Sequence, residues 1–200
     1  MSHILAFDLS TTVCGYTVFD EDTEEIKKIS YYKFKGEELL DRSKELESLI
    51  LKINDEFKID KMIIEENLKS FRSGGTNASA MLNTSKMNFC CQYIMKFVHG
   101  IQVFEINVNS ARSSCFPGFH KIARLRKGVK QKEIAFEMAC QELGEKTFPK
   151  KILQSGVRKG TEVFLDEAGD MADSWVIGKA YLNESKKPAV VPKVKKEKKK

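Results

Sequence analysis

The sequence predicts an α/β fold: a five-stranded mixed sheet, three antiparallel strands followed by two parallel ones, with helices on both faces. Two patterns lead there. The first 34 residues hold three short apolar runs separated by turns, as in an antiparallel meander. The remainder alternates helical periodicity with short, continuous apolar runs, which is how strands covered on both faces read. Strand–strand–strand and then helix–strand–helix–strand–helix is the order of a mixed sheet between helical layers.

Each element has its own signal. Ile4–Asp8, Tyr16–Asp20 and Lys28–Phe34 are the meander strands. From Gly36 to Phe57, Leu39, Leu46, Leu49, Ile50, Ile53 and Phe57 return at three- and four-residue steps, predicting a helix. "KMIIEE" (Lys61–Glu66) is a strand, and the loop "SFRSGGTNASA" ends at Asn77, a helix cap. Ala78–Phe97 is the second helix and Ile101–Val108 the fifth strand. Val129–Leu143 is a helix closed by Gly144, and Gly169–Asn183 is the last one. There is no internal repeat. One folded unit is expected over residues 1–185, followed by a lysine-rich disordered tail, 186–200.

Composition narrows the class. No apolar run approaches the ~20 residues of a membrane span, and no signal-peptide pattern opens the chain. The five cysteines are odd in number and lack C-x-x-C spacing, which predicts free thiols in a reducing, cytoplasmic compartment and no zinc site. The net charge of +6 is unevenly spread, since the tail "KKPAVVPKVKKEKKK" holds eight lysines and one glutamate. Asp20–Glu66 carries 15 acidic and 9 basic residues, whereas Arg112–Gly160 carries 12 basic and 4 acidic ones. "HKIARLRKGVKQK" (His120–Lys132) has six cations and no acid. An electropositive stretch of this kind on a near-neutral body suits a polyanion, and nucleic acid is the commonest.

Asp8 interrupts the apolar run "ILAFDLSTTVCGYTVFD" with a charge that needs a partner, a metal or a raised pKa. It ends the first strand. Glu65 and Glu66 end the fourth, and neighbouring strand ends lie ~4.8 Å apart. Asp170 and Asp173 share a face at the start of the last helix, with Asp166 and Glu167 just ahead of them. Strand alternation separates Glu65 from Glu66 and leaves either as the fourth acid. Four oxygen-donor side chains at strand and helix ends are the ligand chemistry of Mg²⁺ or Mn²⁺. Two such ions ~3.5–4 Å apart suit phosphodiester displacement.

With these motifs in place the chain resembles the RuvC-like Holliday junction resolvases of the RNase H and retroviral-integrase superfamily, in the divergent form of phages and large DNA viruses. The quoted first strand and its turn resemble that family's aspartate strand, and "MIIEE" its glutamate strand. "FRSGGTNASAMLNTSKMNFCCQYI", "VFEINVNSARSSCF" and "DMADSWVIGKAYL" are similar to its loop and long helix, fifth strand and closing helix. The resemblance runs through residues 3 to 183.

It implies an RNase H-like fold and a Mg²⁺-dependent endonuclease that resolves four-way DNA junctions by paired nicks, with two metal ions per site and Mn²⁺ as a substitute. It implies Asp8, Glu65, Asp170 and Asp173 as catalytic metal ligands. Leu68 stands where the family places a junction-opening aromatic, with Phe71 one turn on. Arg72, Arg112, Lys121, Arg124, Arg126, Lys127 and Lys130 are candidate DNA contacts. The family's dimer pairs through the long helix, implying a homodimer through 78–97 that uses Met81, Leu82, Phe89, Cys90, Ile94 and Phe97. Two alternatives stand beside this reading. One is a related nuclease acting on flaps, RNA–DNA hybrids or structured RNA. The other is an actin- or sugar-kinase-like ATPase domain, suggested by the "DLSTT" turn but lacking a second phosphate loop.

Overall fold

The computed structural model describes residues 2–66 and 78–186. Strands β1 (His3–Leu9), β2 (Val13–Asp20) and β3 (Ile26–Lys33) form the meander, and β4 (Ile59–Glu65) and β5 (Gln102–Ile106) complete one sheet in the order β3-β2-β1-β4-β5. β1 pairs antiparallel with β2 and parallel with β4, which pairs parallel with β5. The predicted mixed topology is therefore the observed one.

The alternation of side chains along β1 and β4 divides the interior in two. Leu5, Phe7, Leu9, Met62 and Ile64 point to one face, where helix α1 (Leu39–Phe57) and helix α2 (Ala78–Tyr93) bury Leu46, Ile50, Ile53, Met87 and Cys91 against them. Ile4, Ala6 and Ile63 point to the other face, covered by α3 (Val108–Cys115), α5 (Gln131–Leu143) and α6 (Glu167–Ser185). The short helix α4 (Phe119–Leu125) and a small hairpin of β6 (Lys150–Ile152) and β7 (Glu162–Phe164) fill the connections on either side of α5.

Helix α6 is the most buried of the helices and crosses β1 and β2. Two glycines let it approach. A Cβ on Gly178 would stand 2.3 Å from the Phe19 ring, and one on Gly15 would stand 2.1 Å from the Asp170 carbonyl oxygen. Between them, the hydroxyls of Thr17 and Ser174 share a buried hydrogen bond of 2.8 Å. Close packing of this kind tolerates little added volume.

Several expectations need adjusting. α3, α4 and the β6–β7 hairpin carry no sequence signal, because each is too short to show a period. The long second helix leaves α geometry at Tyr93 and continues as a π-helical turn, Ile94–Val98. Ile94 continues the buried face of Met87 and Cys91 at helical spacing; it packs beside Met95 and Ile101 and cannot face a partner. Leu82, Phe89, Tyr93, Phe97 and Val98 are the exposed large apolar residues of this stretch. All five cysteines are free thiols. Among the described residues, no helix is long and apolar enough to cross a membrane.

Candidate active site

Asp8 and Glu65 lie at the carboxyl ends of two adjacent strands and on the same face. Asp8 follows Ile4 and Ala6, and Glu65 follows Ile63, on the side that α6 covers. Glu66 is the first residue past the end of β4. Its backbone N–H donates to the carbonyl of Ile106, which continues the β4–β5 ladder. α6 meets this edge at its amino-terminal end, where Asp170 lies in the first turn and Asp173 one turn further. Carboxylates there are also favoured by the helix dipole.

The acids converge on the last cation of the basic run His120–Lys132. Lys132, in the first turn of α5, donates to Asp170 Oδ1 at 2.6 Å. Its Nζ also lies 3.4 Å from Asp173 Oδ2 and 3.5 Å from Asp8 Oδ2. Arg112, on α3, donates from one terminal nitrogen to both oxygens of Asp173, at 3.0 and 3.1 Å. Both partners of that pair are buried. Arg112, expected among the DNA contacts, is thus an internal counter-ion. It comes to lie there because α3 packs against α6.

The electrostatics are those of crowded acids. Burial pushes the Asp8 carboxyl well above the usual range; Lys132 opposes this, while Asp173, Glu65 and Asp170 add repulsion. Burial and the Asp173 charge also raise Glu65, against Arg112 and Lys132. Burial alone would depress the Lys132 ammonium, but the surrounding Asp8, Asp173 and Asp170 hold it above the ordinary lysine range. Four carboxylates thus share two cationic side chains.

Among the described residues, no group of three or more His, Cys, Asp or Glu side chains is drawn together as a metal cage. The ammonium of Lys132 stands amid three of the acids instead. The donor set still fits a hard divalent cation: every donor is a carboxylate oxygen, negative charge is in excess, and the acids already gather round a positive charge.

The remaining candidates scatter. Lys121, Arg124, Lys127 and Lys130 are exposed on α4 and the turn after it. Arg126 is paired with Glu137 of α5 through both terminal nitrogens. Leu68, Phe71, Arg72, the Asn77 cap and Lys187–Lys200 lie outside the described residues. The role of Lys132 had one sequence signal, its place in the first turn of the helix after the basic run.

No family model matches the sequence, and no curated protein does so either. Solved structures do. RuvC of Thermus thermophilus in complex with a Holliday junction substrate superposes with a TM-score of 0.61 at 12% identity, over 92% of this chain and 95% of that one. T. thermophilus RuvC in a second structure gives 0.54 at 14% identity, with the same coverage. The yeast mitochondrial Holliday junction resolvase Ydc2 gives 0.56 at 14% identity, over 91% of this chain and 78% of that one. The likeness is one of fold, and it spans nearly the whole chain, matching the resemblance drawn from the motifs.

Proposed function

We propose that this protein is a divalent-metal-dependent endonuclease that resolves four-way or otherwise branched DNA by paired nicks. The observation that carries this reading is the gathering of Asp8, Asp170 and Asp173 on one cation, with Glu65 on the same sheet edge, within a RuvC-type fold.

Asp8, Glu65, Asp170 and Asp173 are the residues that would hold Mg²⁺ or Mn²⁺, two ions per site. The metal, when bound, neutralises phosphate charge and makes water acidic enough to attack. The protein supplies the rest. Gly15 admits the start of α6 to the strand ends and so brings Asp170 toward Asp8. Arg112 fixes the orientation of Asp173 by pairing with both of its oxygens. Lys132, almost half exposed at 45%, faces solvent from the rim of the acid group. Its ammonium is placed to neutralise a phosphate oxygen as charge builds there. Lys121, Arg124, Lys127 and Lys130 would grip DNA backbone, positioning the duplex without reading its sequence. A homodimer through the α2 stretch would use Leu82, Phe89, Tyr93 and Phe97, and its two-fold axis would match that of a four-way junction.

The test is a substrate panel. The purified protein with Mg²⁺ is offered a four-way junction, a flap, a linear duplex and an RNA–DNA hybrid. Preferential, symmetrically paired nicking of the junction is expected. Preference for the flap or the hybrid would keep the nuclease and replace the substrate, and inactivity on all four would overturn the proposal.

A further inference from the structure

The hairpin between α5 and α6 has no part in the site just described, yet it is built as a projecting contact element. From Lys151 to Glu162 every residue except Leu153 is exposed, and Val157 at the tip is wholly so. Exposed two-stranded hairpins are only marginally stable by themselves, and this one is held at both ends. At its base, Phe136 of α5 makes edge contacts with Phe148 and Phe164, at 5.2 and 4.9 Å between ring centres. Lys150 sits over the Phe164 ring and pairs with Glu145 and Glu162, at 2.9 and 3.3 Å. Toward the tip, Leu153 exchanges backbone hydrogen bonds with Thr161 and Gly160. Gly156 and Gly160 supply positive φ angles of 79° and 84° for the turn.

A tip ordered in this way, with its side chains in water, serves no packing purpose. Its chemistry is cationic and apolar: Val157, Arg158 and Lys159 are consecutive, and neither cation forms an ion pair among the described residues. Cations beside an exposed aliphatic side chain suit a nucleic-acid backbone and the groove next to it. The hairpin also starts from the right place, because β7 ends three residues before α6, whose first two turns carry Asp170 and Asp173. Seven residues separate Phe164 from Val157, a reach of at most about 25 Å. That corresponds to roughly seven base pairs of duplex.

We propose that this hairpin is a second DNA-binding element, in which Arg158 and Lys159 contact phosphates of a duplex arm and Val157 lies against its groove. The inference rests on the nuclease reading above and adds a surface to it.

The test measures binding of the full chain to a synthetic four-way junction, in EDTA so that nothing is cut, across a range of salt concentrations. The double variant R158A/K159A should bind more weakly, and its log–log salt slope should fall by about 1.8, two phosphate contacts at about 0.9 each. V157S should weaken binding and leave the slope unchanged. Thermal melts should coincide with the wild type, since all three side chains lie outside the packed interior. Wild-type affinity and slope in R158A/K159A would overturn the hairpin proposal while leaving the nuclease reading standing. Failure of the wild type itself to bind any branched or linear DNA would overturn both.

Discussion

Gly15 and Asp170 meet without room for a single methyl group. A Cβ on Gly15 would lie 2.1 Å from the Asp170 carbonyl oxygen and 2.7 Å from the Met171 nitrogen. Gly15 is also the β2 partner of Asp8. One glycine therefore sets the distance between the acid that ends β1 and the acid that opens α6.

Gly15→Ala should for that reason harm activity more than stability. Overpacking of this kind costs about 1–3 kcal/mol, a fall in melting temperature of roughly 3–9 °C in a chain of this size. Displacement of α6 should lower the cleavage rate by about 10²-fold at temperatures where the variant stays folded. Melting curves and single-turnover cleavage together check it, and a stable, fully active variant would contradict it.

Lys132 relieves repulsion among Asp8, Asp170 and Asp173. Lys132→Met keeps the aliphatic stem and removes the charge. The variant should melt lower than wild type in EDTA and recover more of that loss when Mg²⁺ is added, because the cation then does what the ammonium no longer can. The check is the Mg²⁺-induced shift in melting temperature, which should be larger in the variant. An equal or smaller shift would count against a shared cation site.

Glu45 predicts a pH dependence remote from the site. Its carboxylate accepts backbone N–H groups of Lys35 at 2.9 Å and Gly36 at 2.6 Å, and the Tyr32 hydroxyl at 3.1 Å. The N–H of Lys35 leads in holding it below the usual glutamate range. A carboxyl depressed on folding contributes its stability above the unfolded value of about 4.3. That contribution disappears as pH falls through the lower, folded value. Glu45→Gln should melt roughly 2–4 °C below wild type at pH 7, with the gap closing as pH falls below about 4. A gap that is constant with pH would show that the charge is unimportant.

The sheet was legible because period-two and continuous apolar runs report strands directly, and their turns leave little choice of order. The ends of β1, β4 and α6 were legible for the same reason, so Asp8, Glu65, Asp170 and Asp173 could be placed on one edge. What surrounds them could not. Arg112 reads as one more cation in a basic half until α3 is packed against α6, and α3 has only eight residues. Lys132 belongs by composition to the run that begins at His120, but the first turn of α5 carries it to the acids. Ile94 fits two stripes by spacing, one with Cys90 and Phe97 and one with Met87, Cys91 and Met95, and only packing against the sheet makes the second the buried one. In each case a tertiary contact decides, and it leaves no period to read.

The most direct test of the account is the effect of Asp8→Asn on cleavage and on binding, measured on the same four-way junction. The change keeps the shape of the side chain and removes the charge. With Mg²⁺ present, cleavage should fall by at least about 10³-fold, because the acids act as a unit on the reacting phosphate. Junction affinity should hold or rise, since one fewer carboxylate repels the DNA. An Asp8→Asn protein that cuts junctions at the wild-type rate would contradict the account and leave Asp8 as a structural residue of the strand end.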